Sequence, residues 1–246
     1  MIRGVYTAAS GMLAGQTRLD AVAHNIANVN TTGFRRQVPV FAPYLQTAVG
    51  RHEKRVTPIG TTSLGTVPTA LVTDLTGGPV VQTGRTMDLA LEGEGFFTVE
   101  REGQQLYTRA GSFKVDASGI LVTRAGDPVL GERGPLKVGH DGFTVSADGR
   151  VFSSTGEELD RLRLTALPGR ETWVRTPDGY LMTGEATAPA INTRVHQGYL
   201  EGSNVHLAVE LVDLLLASRL YAANQRVART QDTLVEKAIN QVGALR

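Results

Sequence analysis

The chain has 246 residues, a formal net charge of +1, and a hydrophobic content of 41%. This length allows one large or two modest domains, and the near-neutral charge gives no reason to expect nucleic acid or an anionic membrane as a partner. The chain contains no cysteine, which excludes disulfides, thiolate zinc sites and cysteine nucleophiles.

Residues 1–34 are predicted to form a helix that pairs with a second helix. Apolar and small side chains recur there at alternating steps of four and three residues, the pattern of a coiled-coil contact line. Its largest members are Val5, Met12, Leu19 and Ile26. Alanines and a glutamine fill the other positions, so the contact line buries little area and the helix needs a partner.

The stretch HNIANVNTTGFRRQ, residues 24–37, raises the question of a ligand site, an ordinary helix stop or a joint between subunits. It contains Asn25, Asn28, Asn30, Gly33 and Phe34. Asparagine and glycine accept left-handed backbone and stop helices, and Phe34 is an apolar anchor. We interpret the stretch as a joint whose asparagines bind backbone groups, either within one subunit or between subunits.

The centre of the chain changes character twice. Residues 35–85 contain five prolines and no sustained period, which predicts an extended, loop-rich segment ordered by neighbouring subunits. Residues 86–185 alternate short apolar runs with turn signals such as Asp-Ala-Ser-Gly and Ala-Asp-Gly, so a β-rich domain is predicted there. Residues 186–203 lead back towards the C-terminal segment.

Residues 204–246 are predicted to form a long helix that pairs with the first. Ser203 or Asn204 can cap it, and no proline occurs from there to Leu245. Its predicted contact line contains Leu216, Leu220, Val227 and Leu234. About forty residues correspond to roughly 60 Å, a length typical of a coiled coil or bundle. The predicted fold class is therefore α+β: terminal helices paired as a coiled coil, an inserted all-β domain and an extended loop-rich segment.

The residues that carry chemistry form no convincing site. The histidines lack metal-ligand spacing, and Glu92 and Glu94 lie in a glycine turn rather than on two elements across a cleft. The N-terminal sequence lacks the apolar core of a cleaved secretory signal. No apolar run is long enough for a transmembrane helix. Catalysis, cofactor binding, metal binding and membrane insertion are not expected.

Several motifs resemble those of the bacterial flagellar rod and hook proteins. They are YTAASGMLA with ANVNTTGF near the N-terminus, LALEGEGFFTV, YTRAGSF and GILVTRAGDPVLG in the centre, and QGYLEGSNVHLAVELVDLL near the C-terminus. The C-terminal motif contains Gly198, Leu200, Glu201, Ser203 and Asn204. The start and the tail resemble distal-rod members of the family, whereas the compact centre resembles another rod type.

The resemblance implies a structural subunit of the flagellar basal-body rod, which assembles helically through its terminal helices and transmits torque. It implies contacts with copies of itself, with other rod and hook proteins and with the flagellar type III export apparatus. It places the protein in the basal body within the cell envelope, exported without a cleaved signal, and it implies no small-molecule substrate or cofactor.

Two other classes stay open on the residues alone. A hydrolase acting on cell-wall glycans needs two or more carboxylates facing a cleft. A surface binding module needs a leader or an anchoring sequence, and neither is recognisable.

Overall fold

The computed structural model describes residues 2–52, 56–167, 173–176, 178–185 and 187–243. The chain divides into two compact units. The helical unit contains residues 1–27, 37–74 and 206–246, and the β unit contains residues 28–36 and 75–205. The predicted end of the second helix, residues 244–246, lies outside the described residues.

The helical unit contains both helices, α1 (Ile2–Ala27) and α2 (Leu207–Gly243). They run antiparallel and approach closely along a face of α1 that contains glycines. The facing pairs are Gly4 with Gln231, Gly11 with Asn224, and Gly15 with Tyr221. From the first pair to the second, the position advances by seven residues on α1 and goes back by seven on α2. The two helices therefore stay in register over about two turns.

The predicted coiled coil is wrong, although the α+β class is consistent with the structure. Instead of packing against α1, Leu216, Leu220, Val227 and Leu234 each keep 47% or more of their surface exposed. The α2 side chains that lie over the glycines of α1 are an aromatic ring and two amides. Glycine permits a close backbone approach that leaves no room for large apolar side chains between the helices.

The predicted loop-rich segment is also wrong. Two long strands, β1 (Gln37–His52) and β2 (Val56–Thr73), pair antiparallel, and we call this pair the hairpin. The pairing shifts register twice along β1, which marks bulges or irregularities. The prolines that suggested a loop are compatible with a two-stranded ribbon, because each strand has one edge that needs no hydrogen bonds. The hairpin contacts α1 through Thr7, whose Oγ1 donates to the carbonyl oxygen of Leu64 at 2.9 Å.

Among the described residues, the β unit contains fifteen short strands. They are β3 (Val80–Gln82), β4 (Leu89–Glu92), β5 (Gly95–Arg101), β6 (Gln104–Thr108), β7 (Lys114–Val115), β8 (Leu121–Val122), β9 (Phe143–Val145), β10 (Arg150–Ser153), β11 (Glu158–Arg161), β12 (Leu164–Ala166), β13 (Trp173–Arg175), β14 (Leu181–Thr183), β15 (Ala188–Pro189), β16 (Arg194–Gln197) and β17 (Tyr199–Glu201). The largest sheet has the order β13-β14-β6-β5-β12-β15, and a second sheet has the order β11-β10-β9. Three further pairs are β16-β4, β17-β3 and β7-β8.

Among the described residues, the larger of two apolar clusters forms the main core between these strands. Phe97, Val99, Phe113, Leu121 and Val151 are completely buried in it. The rings of Phe97 and Phe113 meet edge to face, with their centroids 5.0 Å apart, which is a favourable geometry for two aromatic quadrupoles. The β unit therefore has its own hydrophobic core.

A membrane-spanning helix must be both long and almost entirely apolar. Within the residues that the structure describes, neither helix combines the necessary length with the necessary apolarity.

Candidate functional site

A long exposed apolar surface of the helical unit lies on α2. We call six of its side chains the α2 stripe, because they recur at steps of three, four or seven residues. They are Val209, Val212, Leu216, Leu220, Val227 and Leu234. Each is between 47% and 56% exposed. Singly exposed apolar residues are common, but a contiguous stripe along a helix marks a binding surface.

The first helix carries a second apolar surface, where the structure places the residues predicted as an interface. Val5, Met12, Leu19 and Ile26 are half-buried. Two neighbouring side chains are more open: Leu13, which widens the predicted stripe, is 56% exposed, and Tyr6, which the sequence interpretation left out, is 69% exposed. A large exposed aromatic ring on a regular helix was the signal that could have identified this part of the surface.

The asparagines of the joint have different surroundings. Asn25 is buried at the end of α1, where its amide binds the backbone of Gln37 and its Nδ2 donates to Glu210 Oε2 at 3.3 Å. The carbonyl oxygen of Asn28 accepts from the backbone N–H of Thr31 at 3.1 Å. Asn30 is exposed. The amides therefore form no common ligand pocket, and Asn25 binds within its own chain.

The remaining joint residues lie in the β unit, where they pair with the segment that leads to α2. The backbone N–H of Gly33 donates to the carbonyl oxygen of Glu201 at 2.8 Å. The N–H of Asn204 donates to the carbonyl oxygen of Phe34 at 3.4 Å. The N–H of Arg36 donates to Asn204 Oδ1 at 2.7 Å. The chain segments that enter and leave the β unit are thus bound to each other.

Other residues of the C-terminal motif support this pairing. The backbone N–H of Gly198 donates to the carbonyl oxygen of Asp88 at 2.8 Å, and Gly198 has a left-handed backbone with a φ of 81°. Leu200 pairs with Val81 in the β17-β3 ladder. Ser203 Oγ accepts from the N–H of Val205. Because α2 begins at Leu207, neither Ser203 nor Asn204 caps its first turn.

A buried ion cluster lies at the centre of this pairing. Arg35 Nη2 lies 2.6 Å from Glu201 Oε1, and Arg109 Nη1 lies 3.1 Å from Glu201 Oε2. Arg35, Arg109 and Glu201 are 4%, 6% and 2% exposed. The backbone N–H of Gly78 also donates to Glu201 Oε1, at 3.0 Å. One carboxylate therefore joins several chain segments.

The cluster contains two positively charged side chains and one negatively charged side chain, and all three are buried. Burial lowers the pKa of Arg109, and the nearby Glu201 carboxylate opposes that shift. Within the described part of the chain, Arg35 Nε, Arg35 Nη1 and Arg109 Nε have no hydrogen-bond partner. Two guanidinium groups thus share one directly bonded carboxylate in a region of low dielectric, where each ion pair is weakly screened.

Phe34 is fixed by a cation that the sequence interpretation did not identify. The guanidinium carbon of Arg175 lies 4.5 Å from the centroid of the Phe34 ring. Arg175 Nη1 also donates to the carbonyl oxygen of Arg35 at 3.0 Å. Burial lowers the pKa of Arg175. Phe34 is therefore anchored inside the β unit of its own chain.

An open pocket in the β unit offers a place to test the hydrolase alternative. It has a volume of about 410 Å³ and is lined by Gln104, Gln105, Tyr107, Met182, Thr183, Glu185 and Thr187. Glu185 is its single carboxylate, whereas glycoside hydrolysis ordinarily needs two. Among the described residues we also find no group of three histidine, aspartate or glutamate side chains placed to bind a metal ion.

Comparisons with known proteins give consistent results at both ends and in the centre of the chain. The model described as flagella basal body rod protein matches residues 5–35. The flagellar hook protein FlgE/F/G D1 domain matches residues 90–153, and the flagellar basal body rod FlgEFG protein C-terminal model matches residues 196–241.

Full-length relatives give the same result. FlgG of Bacillus subtilis is 32% identical, and the alignment covers 98% of this chain and 99% of the relative. FlgG of Agrobacterium fabrum is 33% identical over 95% of this chain and 97% of the relative. FlgF of Caulobacter vibrioides is 32% identical over the whole of both chains. All three relatives carry the description flagellar basal-body rod protein.

Matches to both ends and to the inserted β unit define the class as flagellar rod and hook proteins. Within that class, the chain belongs to the flagellar basal-body rod protein family. FlgG and FlgF relatives match at nearly the same identity, so sequence similarity does not assign the chain to one of the two types.

Proposed function

We propose that this protein is a non-enzymatic structural subunit of the flagellar rod, and that it polymerises through the exposed apolar surfaces of α1 and α2. The observation that carries the proposal is the α2 stripe. Its side chains remain open to solvent within the chain although they recur with helical spacing. A helical partner from another subunit is the natural cover for such a surface.

The energetics favour assembly over the isolated subunit. Full burial of one aliphatic side chain contributes roughly 1.5–3 kcal/mol. Contact between α1 and α2 within one chain involves glycines and amides, which leave the large apolar side chains available to a neighbour. Many repeats of this contact would give a stiff polymer made from subunits of moderate stability.

The geometry of the polymer follows from the type of contact. The α1 and α2 surfaces of one subunit differ from each other, so a contact between them is heterologous. Heterologous contacts that do not close into a ring generate helical assemblies. A helical rod built in this way resists twisting and can transmit torque for motility.

The proposal includes the route and the partners of the subunit. We place it in the basal body within the cell envelope, in contact with copies of itself and with other rod and hook proteins. It reaches this position through the flagellar type III export apparatus without a cleaved signal. The absence of cysteine supports export of an unfolded chain, because no thiol can form a mispaired disulfide on the way. The role requires no cofactor, nucleic acid, small-molecule substrate or membrane insertion.

A pair of matched substitutions tests the interface. Leu220→Asp places a charge in the α2 stripe, whereas Gln225→Asp places the same charge at an exposed polar position of the same helix. In a strain that lacks the native protein, we expect the Leu220→Asp chain to be exported but not incorporated into rods. The Gln225→Asp chain should restore swimming.

The folded state of each variant is checked separately by circular dichroism of the purified chain. Leu19→Asp, on the α1 surface, should have the same effect as Leu220→Asp. If the Leu220→Asp or the Leu19→Asp strain swims normally and has rods of normal length, the surface that carries the substitution does not form the interface.

A further inference from the structure

We propose that the buried cluster of Arg35, Glu201 and Arg109 fixes the β unit to its two connecting segments and carries the mechanical load between them. This inference rests on the proposed function as a rod subunit. We call the cluster the charge fixture. Nothing in the polymer contacts proposed above requires it, because all three residues are buried inside the β unit.

The first argument is the convergence of chain segments on Glu201. Its carboxylate binds Arg35 from the joint, Arg109 from the loop after β6, and the backbone N–H of Gly78. Its backbone carbonyl oxygen accepts from Gly33. Load arriving along the joint or along the segment towards α2 therefore meets the same residue.

The second argument is that the fixture continues into the β core. Arg109 Nη1 donates to the carbonyl oxygen of Leu91 at 3.1 Å, and Arg109 Nη2 donates to the carbonyl oxygen of Gly93. The guanidinium also lies 5.1 Å from the centroid of the Phe96 ring. An unbroken series of polar contacts thus joins the backbone of the joint to strands that line the hydrophobic core.

The third argument is the physical character of these contacts. Ion pairs on a surface are weak and screened, and they yield readily. The fixture is buried, and loss of Glu201 would leave two uncompensated positive charges in the interior. Loss of Arg35 leaves Arg109 paired with Glu201, but it removes the 2.6 Å contact that binds the joint to that carboxylate. These contacts are charge-assisted hydrogen bonds, which are stronger than neutral ones. Such a cluster would keep the joint and the segment towards α2 in fixed positions on the β unit under mechanical load.

The test uses the full chain with two substitutions of the same type. Arg35→Met removes one member of the fixture. Arg101→Met is the matched control, because Arg101 binds Asp127 and Asp178 in the same β unit but has no part in the fixture. Arg35→Lys keeps the charge and provides a conservative variant for rescue.

The first readout is amide hydrogen exchange of the purified chain. In the Arg35→Met variant, we expect the amides of Gly33 and Asn204 to exchange on the order of a hundredfold faster, as expected when a buried ion pair that holds two segments together is lost. The same amides should be unaffected by Arg101→Met, and Arg35→Lys should give an intermediate rate. Unchanged exchange in Arg35→Met would overturn the proposal.

The second readout is motility under load. Strains carrying Arg35→Met should build rods and swim at near-normal speed in dilute medium, but lose speed disproportionately as medium viscosity rises. The Arg101→Met strain should follow the native viscosity dependence. An identical dependence in the two strains would overturn the load-carrying role. If the Arg35→Met chain does not fold, the Arg35→Lys strain is compared with the native strain. We expect an intermediate loss of speed at high viscosity, and a native viscosity dependence would overturn the load-carrying role.

A deletion strain separates this inference from the proposed function. Rods of normal length without the protein would refute the proposed function itself. Absence of rods in the deletion strain, combined with native load dependence in Arg35→Met, would refute the charge fixture alone.

Discussion

The side chain of Asn25 exchanges two hydrogen bonds with the backbone of Gln37. Asn25 Nδ2 donates to the carbonyl oxygen of Gln37, and Asn25 Oδ1 accepts from its N–H, at 2.9 Å in each case. A side-chain amide thus substitutes for a neighbouring strand at the first residue of β1. The contact lies within one chain, so it ties the end of α1 to the start of the hairpin before any neighbour is present.

Loss of this amide should destabilise the helical unit. Asn25→Ala leaves two partly buried backbone groups of Gln37 and one carboxylate oxygen of Glu210 without this partner, so we expect a cost of about 3 kcal/mol. Asn30→Ala, at an exposed position, should change stability by less than about 0.5 kcal/mol. Urea unfolding of the full chain, followed by helical circular dichroism, measures both values. Equal effects of the two substitutions would contradict the role of Asn25.

Gly33 should tolerate no side chain. Its φ is 66°, and a Cβ there would lie 2.4 Å from the backbone of Arg109 and Ala110. Gly84 has a similar φ of 72°, but a Cβ there would meet no atom within 4 Å. Gly84→Ala should therefore cost about 1 kcal/mol for backbone strain alone. Gly33→Ala should cost several times more, because the joint must leave its position. Differential scanning calorimetry of the two variants compares them, and a similar loss in both would show that the close approach at Gly33 is unimportant.

The glycine face of α1 should limit side-chain size. A Cβ at Gly11 would lie 2.7 Å from Asn224 Nδ2, so Gly11→Leu overpacks the contact between α1 and α2. Overpacking of this kind typically costs about 1–3 kcal/mol. Ala9→Leu, at an exposed position of the same helix, is the control and should be nearly neutral. Hydrogen exchange of α1 amides reports the result; equal protection in both variants would mean that the helices do not need close approach.

Asp127 should make the β unit sensitive to acid. Hydrogen bonds from Arg101 hold the pKa of Asp127 below its usual value, and the two Arg101 bonds are 2.8 Å and 2.7 Å long. Because the folded pKa is depressed, this carboxylate stabilises the protein above its unfolded pKa of about 3.9. The stabilisation is lost as pH falls from that value through the folded pKa.

Asp127→Asn should therefore be less stable than the native chain near pH 7, and the difference between them should narrow below about pH 4. Thermal unfolding of both proteins between pH 2.5 and pH 7 measures the difference. Asp141→Asn, at an exposed position, is the control and should follow the native curve. A difference that stays constant with pH would exclude the Asp127 ion pair as the cause.

Sequence patterns predicted part of this architecture for clear physical reasons. Helical periodicity and the lack of proline indicated α1 and α2, and turn signals indicated the β-rich centre. The hairpin of β1 and β2 was not predicted, because proline normally interrupts strands. In a two-stranded ribbon, one edge of each strand makes no hydrogen bonds, so proline is tolerated there. Apolar periodicity on α2 was assigned to contact within the chain, although glycines on α1 make that contact and leave the α2 stripe outside.

The charge fixture was not predictable from local pattern. Arg109 and Glu201 are 92 positions apart, and each lies in a segment with ordinary polar composition. Arg35 belongs to the stretch HNIANVNTTGFRRQ, but no local pattern there marks its side chain as buried. Charged residues are usually solvated, so nothing in a single sequence identifies the few that fold into the interior. The left-handed glycine at position 33 was the most informative local signal, because it correctly marked where the chain turns.

The two ends of residues 75–205 are held side by side. Asn204 Nδ2 donates to the carbonyl oxygen of Thr76 at 3.0 Å, and the N–H of Gly202 donates to the carbonyl oxygen of Pro79 at 2.8 Å. A segment that starts and finishes at one place is a modular appendage, because residues can be added to its turns without displacing its attachment points. The inserted segment of such a protein is free to diverge in size and sequence while its terminal segments stay the same.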